Sequence, residues 1–89
     1  MSSKKVKGVI NIYPNPVIDI LAVNYISSDN SEGLITVSDD KGVLILSTSM
    51  EWLQGENKVE INTSNYAKGL YLITFYDAGN LYHKRFIKK

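Results

Sequence analysis

The chain predicts an all-β domain, an immunoglobulin-like antiparallel β-sandwich of about seven strands. Three observations carry this expectation. Apolar and polar residues alternate at a two-residue period, and no long window shows the 3.6 spacing of an amphipathic helix. Six tyrosines, with many Val and Ile residues, favour strands. Turn-forming residues interrupt the apolar runs at short intervals, and a length of 89 residues leaves room for one small domain.

The first strand is expected over Val9 to Tyr13, after a linker spanning residues 1–8. Pro14 and Pro16 stop it, because each lacks an N–H and restricts its predecessor to extended geometry. The second runs from Ile18 to Ile26, with Leu21, Val23 and Tyr25 on one face. The polar run Ser27 to Gly33 reads as a loop. Leu34 to Ser38 forms the third strand, with Ile35 and Val37 inward. Asp39-Asp40-Lys41-Gly42 turns the chain, with Gly42 suited to positive φ. Val43 to Ser47 returns as a hairpin partner.

Met50 to Asn57 reads as a connection in which Trp52 and Leu53 cap one end of the core. Lys58 to Asn62 is the fifth strand, with Val59 and Ile61 inward. Thr63 to Gly69 reads as one helical turn closed by Gly69. Leu70 to Asp77 is the sixth strand, with Tyr71, Ile73 and Phe75 on one face. Ala78-Gly79-Asn80 is a tight turn before the seventh strand, Leu81 to Ile87.

Composition excludes several function classes. A net charge of +1 gives no general basic field for nucleic acid. The absence of cysteine removes disulfides, thiolate nucleophiles and cysteine-based metal sites. No apolar stretch is long enough to span a membrane. The basic residues of Met1 to Lys7 have no apolar run behind them, so they are not a signal peptide.

No catalytic set is visible. His83, the single histidine, lies on the last strand and reads as solvated. Asp39 and Asp40 are adjacent and face opposite ways, which suits a turn better than an acid–base pair. Asp29-Asn30-Ser31-Glu32-Gly33 has some character of a calcium loop but lacks an EF-hand ligand series. No metal and no cofactor is expected. Lys84, Arg85, Lys88 and Lys89 make a basic end, read either as protection of an edge strand or as a docking patch for an acidic partner. Tyr71, Phe75 and Tyr76 could form a sugar platform, although the alternating Tyr71 and Phe75 fit a core.

One ordered series goes further. Tyr13-Pro14-Asn15-Pro16 follows a short apolar strand and precedes Asp19, Leu21 and Val23. Val37, Asp39 and Gly42 stand at the hairpin; Leu53, Gly55, Asn57, Val59 and Ile61 follow. Gly69, Tyr71, Ile73, Gly79 and the terminal Lys84-Arg85-Phe86-Ile87-Lys88-Lys89 complete it. This series resembles the type A C-terminal sorting domain of proteins exported by the type IX secretion system of Bacteroidetes, over residues 9–89. Asp40 is a departure, since many relatives carry an apolar residue there.

The resemblance implies a non-enzymatic signal domain at the end of a larger precursor. The precursor reaches the periplasm through its own signal peptide. The outer-membrane translocation machinery then recognises the folded domain. A cysteine-protease-like sortase cuts on its N-terminal side, near Ser2 to Gly8, and cargo reaches the cell surface or the medium. On this view the chain is excised from a precursor, with Met1 supplied by cloning. Asn15, Lys84, Lys88 and Lys89 are the expected exposed contacts. Tyr13, Tyr71 and the turn glycines serve folding, and the last strand offers its backbone edge for strand addition. The alternative function is a surface accessory sandwich that binds carbohydrate or protein; a small hydrolase is a third.

Overall fold

A computed structural model describes residues 10–89. The expected linker, residues 1–8, and Val9 lie outside the described residues. Seven strands appear in order: β1 (Ile10–Tyr13), β2 (Ile20–Ser27), β3 (Ser31–Asp39), β4 (Leu44–Trp52), β5 (Gly55–Asn62), β6 (Gly69–Asp77) and β7 (Asn80–Lys88). They form two antiparallel sheets, one in the order β1-β2-β5 and the other β4-β3-β6-β7. The β-sandwich expected from sequence is the fold observed.

The two-residue period explains the core. Leu21, Val23, Tyr25 and Ile61 point inward from the first sheet, and Ile35, Val37, Ile73, Phe75 and Phe86 meet them from the second. Alternation on both sheets leaves one buried layer between them. Aromatic rings thicken each end. The Tyr25 and Trp52 ring centroids lie 4.5 Å apart. At the opposite end Tyr71 stacks on Phe86 at 5.4 Å, with Tyr66 5.3 Å from Tyr71.

Four expectations are corrected. The polar stretch after Ser27 turns only through Ser28 to Asn30, and β3 begins at Ser31. Its polar residues pair normally because Gly33 makes room for the Trp52 ring. A Cβ on Gly33 would stand 2.1 Å from Trp52 Nε1. The supposed connection Met50 to Asn57 is mostly strand. Met50 and Trp52 continue the inward positions of β4, and Asn57 occupies an inward position of β5. Asn57 disguised that strand because it is polar. Its side chain accepts from Leu53 N (2.9 Å) and donates to the carbonyls of Leu53 (2.9 Å) and Gly55 (3.1 Å). Trp52 caps the core as expected, but Leu53 is exposed.

Thr63 to Gly69 forms no helix. Thr63 gives both its N–H (2.7 Å) and its Oγ1 (2.8 Å) to Asp19 O, so its donors bridge to another segment. What remains is a turn closed by Tyr66 N–H on Thr63 O at 2.9 Å. The Ala78-Gly79 turn is as expected. Both residues have positive φ, 49° and 87°, the signature of a two-residue type I′ hairpin.

Candidate recognition site

The stretch after β1 leaves its own sheet and docks on the edge of β7. Val17 is fully buried and forms a parallel bridge to Lys88. Its N–H donates to Ile87 O and its carbonyl accepts from Lys89 N–H, both at 2.8 Å. In a parallel ladder the next backbone to pair with β7 would be that of Asn15, two positions before Val17, and not that of Pro16. The Asn15 side chain takes that place: Oδ1 accepts from Ile87 N–H at 2.9 Å, and Nδ2 faces Arg85 O at 3.5 Å. An amide side chain has the same donor and acceptor as a peptide group, so Asn15 acts as one more ladder unit. The X-Pro bonds at Pro14 and Pro16 are both cis.

Residues 72 positions apart in sequence thus share one edge. Tyr13, Pro14, Asn15 and Pro16 are exposed beside it, and the Tyr13 hydroxyl accepts from Asn24 Nδ2 at 3.2 Å. Lys84, Arg85, Ile87 and Lys89 are exposed on β7, while Phe86 is buried. Lys88 corrects the sequence expectation. It is only 7% exposed and sends Nζ to Ile18 O, so its charge is not part of the outer face. The strand-addition expectation is narrowed at the C-terminal end of β7. Ile87 N–H, Ile87 C=O and Lys89 N–H already have internal partners, which closes that end of the β7 edge.

The β3–β4 turn lies at the same end of the sandwich. Asp39 Oδ1 accepts from the N–H groups of Lys41 and Val43, both at 2.9 Å, and Gly42 follows with φ +84°. This Asx-type arrangement explains why Asp precedes the turn. Gly69 (φ +148°) opens β6 and Gly79 (φ +87°) turns it into β7. Asp39, Asp40, Gly42, Leu70, Leu72 and Arg85 line a groove of about 370 Å³. Tyr71 lies below, buried, its hydroxyl donating to Ala67 O at 2.5 Å. Burial first, then the charges of Asp39 and Asp40, raise its phenol above the ordinary tyrosine range.

The chemistry-bearing candidates stay apart. His83 is exposed, and its closest partner is Thr74 Oγ1 at 3.5 Å from Nδ1. In the Asp29 region, Asn30 Oδ1 accepts from Gln54 N–H at 2.7 Å and Asp29 O accepts from Ser27 Oγ at 2.7 Å. Among the described residues no group of three or more His, Cys, Asp or Glu gathers for a metal. Tyr71 and Phe75 are buried, so they are not available to a sugar, and only Tyr76 of that trio is exposed.

Sequence reasoning missed Val17, Gly33 and a buried polar knot at the Trp52 end. There Asp77 accepts from the hydroxyls of Tyr25 and Ser31, and from Ser27 Oγ at 3.0 Å. Burial, followed by the hydrogen bond and charge of Asp77, holds the Tyr25 phenol well above its usual range. The signal for Asp77 was a carboxylate ending an apolar strand at an inward register. Val17 had no periodic signal, because it belongs to neither flanking strand.

No helix among the described residues is long and apolar enough to cross a membrane. A family model described as the secretion system C-terminal sorting domain matches residues 11–89. A comparison with curated proteins gave no match. That family is a signal family and not an enzymatic one, and its match spans both halves of the shared edge, from the Tyr13 segment to Lys89. The chain therefore belongs to the family of secretion system C-terminal sorting domains and carries a type IX sorting signal directing export to the outer membrane or cell surface.

Proposed function

We propose that the outer-membrane translocation machinery reads this domain as a folded module, through the surface where Asn15 meets β7. The domain makes and breaks no bonds itself. The carrying observation is the ladder among Asn15, Val17, Ile87 and Lys89. These groups come together only once both sheets have formed, so the surface does not exist in an unfolded chain. A rigid surface loses little conformational entropy on binding, which suits an address label. The exposed contacts are Asn15, Lys84, Arg85, Ile87 and Lys89. Cargo stands N-terminal to residue 9, passes through the periplasm and is cut from the domain by the sortase before surface display or release.

The test is a fusion of a signal peptide, a fluorescent reporter and residues 9–89, expressed in a host with the machinery. Reporter reaching the surface or medium, and dependent on that machinery, is the expected result. Deleting Phe86 to Lys89 leaves the reporter inside; normal export of that truncation refutes the reading. Glycan binding by the isolated domain, with no export of the fusion, supports an accessory module instead.

A further inference from the structure

Among the described residues the two sheets end in four edges, and three of them carry recognisable protection. β1 is only four residues long and runs into Pro14. β5 presents Glu56, Lys58 and Glu60 to solvent. β7 places Lys84 at an inward register yet exposed, and its end is capped by Asn15 and Val17. Short length, charge, an inward-pointing lysine and a covering segment are the usual devices against unwanted pairing.

Among the described residues β4 has no covering segment and no inward-pointing lysine; its protection is limited to a bulge at Ile45, near its start, and one charge. It runs for nine residues, Leu44–Trp52, with no lysine or proline and with Glu51 as its only charge. The Asp39 N–H bond to Val43 O and the β3–β4 register make Leu46, Thr48 and Met50 the residues bonded to β3. By the alternation of an antiparallel ladder, the N–H and C=O groups of Ser47, Ser49 and Glu51 point away from the sheet. Beside this edge lies a groove of about 370 Å³ lined by Ile45, Leu46, Val59, Ile61 and Tyr66, with Glu60 at its rim. Thr48 and Asn62 line it as well, so open backbone groups lie beside a partly apolar groove, which is what an added strand requires.

Charge indicates what kind of strand. Glu51 stands directly opposite Glu32 on the outer face, and its same-face neighbours Leu34 and Ser49 are uncharged. Like charges directly opposed on a sheet are unfavourable. A strand added to β4 brings a side chain beside Glu51, where a cation would offset that repulsion.

We propose that the β4 edge receives an extended segment of a partner protein. Its apolar side chains fill the groove between β4 and β5, and it sets a lysine or arginine beside Glu51. This deepens the sorting reading and rests on it for the partner's place in export. It also leaves the Asn15–β7 surface free.

The probe is a blocked nonapeptide alternating valine and threonine and carrying two lysines, with a glutamate-for-lysine control. Amide exchange is followed on the isotope-labelled 89-residue chain. The lysine peptide should slow exchange at Ser47, Ser49 and Glu51, and the control should not. Glu51→Lys should invert that preference. Ser49→Pro removes an outward N–H without breaking the β3 ladder, and Thr48→Lys adds an inward-register charge; each should abolish protection. If Ser49→Pro does not fold, Glu51→Lys and Thr48→Lys decide. Protection on β1 or β7, equal binding of both peptides, or peptide-independent protection that grows with protein concentration overturns the proposal, the last in favour of a second copy. In the reporter fusion, folded Thr48→Lys should stay inside. Its normal export overturns the β4 role while leaving the sorting reading intact. A wild-type fusion that is retained overturns the sorting reading instead, and the exchange data still judge the edge.

Discussion

Replacing Gly33 by alanine places a methyl group inside the Trp52 indole. The added carbon would stand 2.1 Å from Nε1 and 2.4 Å from Cδ1, closer than any real contact. Gly33 lies within β3, paired on both sides to Met50 and Asp77, so the backbone has little freedom to retreat. The indole must move. It is fully buried, and its Nε1–H donates to Tyr76 O at 2.7 Å. Overpacking a formed core costs about 1–3 kcal/mol, and loss of the indole bond adds about 1 kcal/mol. A total of about 3 kcal/mol should lower the urea midpoint by about 2 M for a domain of this size. Trp52 is the only tryptophan, so its fluorescence reports both the unfolding and the environment of the displaced ring. The cost should shrink sharply in a Trp52→Leu background, followed by circular dichroism, because the clashing atoms are then gone. A Gly33→Ala midpoint equal to wild type, or an equal cost in both backgrounds, refutes the reasoning.

Other outcomes follow from single contacts. Ala78→Asn should raise stability by about 1 kcal/mol, since Ala78 holds φ +49° and asparagine tolerates that region better; calorimetry checks it. Asn15→Ala removes the acceptor for Ile87 N–H, at a cost of about 1 kcal/mol, and should speed exchange of that amide selectively. Tyr25, Tyr66 and Tyr71 all have phenols raised above 10.0 in the folded state, by burial first. Their protons are held by the native state and released by the unfolded one, so this stability is complete below about pH 10 and falls as pH rises beyond it. Urea midpoints measured across the alkaline range should decline accordingly, and a flat profile contradicts the burial of these hydroxyls.

Strands with apolar residues at every second position were legible from the sequence. Leu21-Val23-Tyr25 and Tyr71-Ile73-Phe75 place a nonpolar side chain at each inward position, and each strand appeared with the correct face. The misread stretches share a physical cause. Where an inward position is polar or absent, as at Asn57 and Gly33, the period disappears although the pairing continues. Asn57 is accommodated by bonds to the Leu53–Gly55 turn just before it, and Gly33 by the Trp52 ring of the neighbouring strand. The site followed the same division. Turn chemistry at Asp39, Gly42 and Gly79 could be read locally, because φ and Asx bonding are local properties. The docking of Val17 on Lys88 could not, because neither residue carries a mark of the other.

That docking decides which export experiments are informative. Truncating the last four residues removes Phe86 from its stack on Tyr71 and removes both backbone partners of Val17. Loss of export after truncation therefore follows equally from unfolding and from a missing contact. Substitutions that spare the buried side separate the two. Arg85 and Lys89 are exposed, and their side chains make none of the bonds that hold the edge together. Arg85→Glu with Lys89→Glu should change stability by less than about 1 kcal/mol, with a wild-type exchange pattern at Ile87. Export of the reporter should nevertheless fall if the outer face of β7 is what the machinery touches. Lys88→Met is the matched control, since its charge lies against Ile18 O and not on that face; once its fold is verified, it should be exported. Retention of the Lys88→Met fusion alongside normal export of the double charge reversal would place recognition elsewhere on the sandwich.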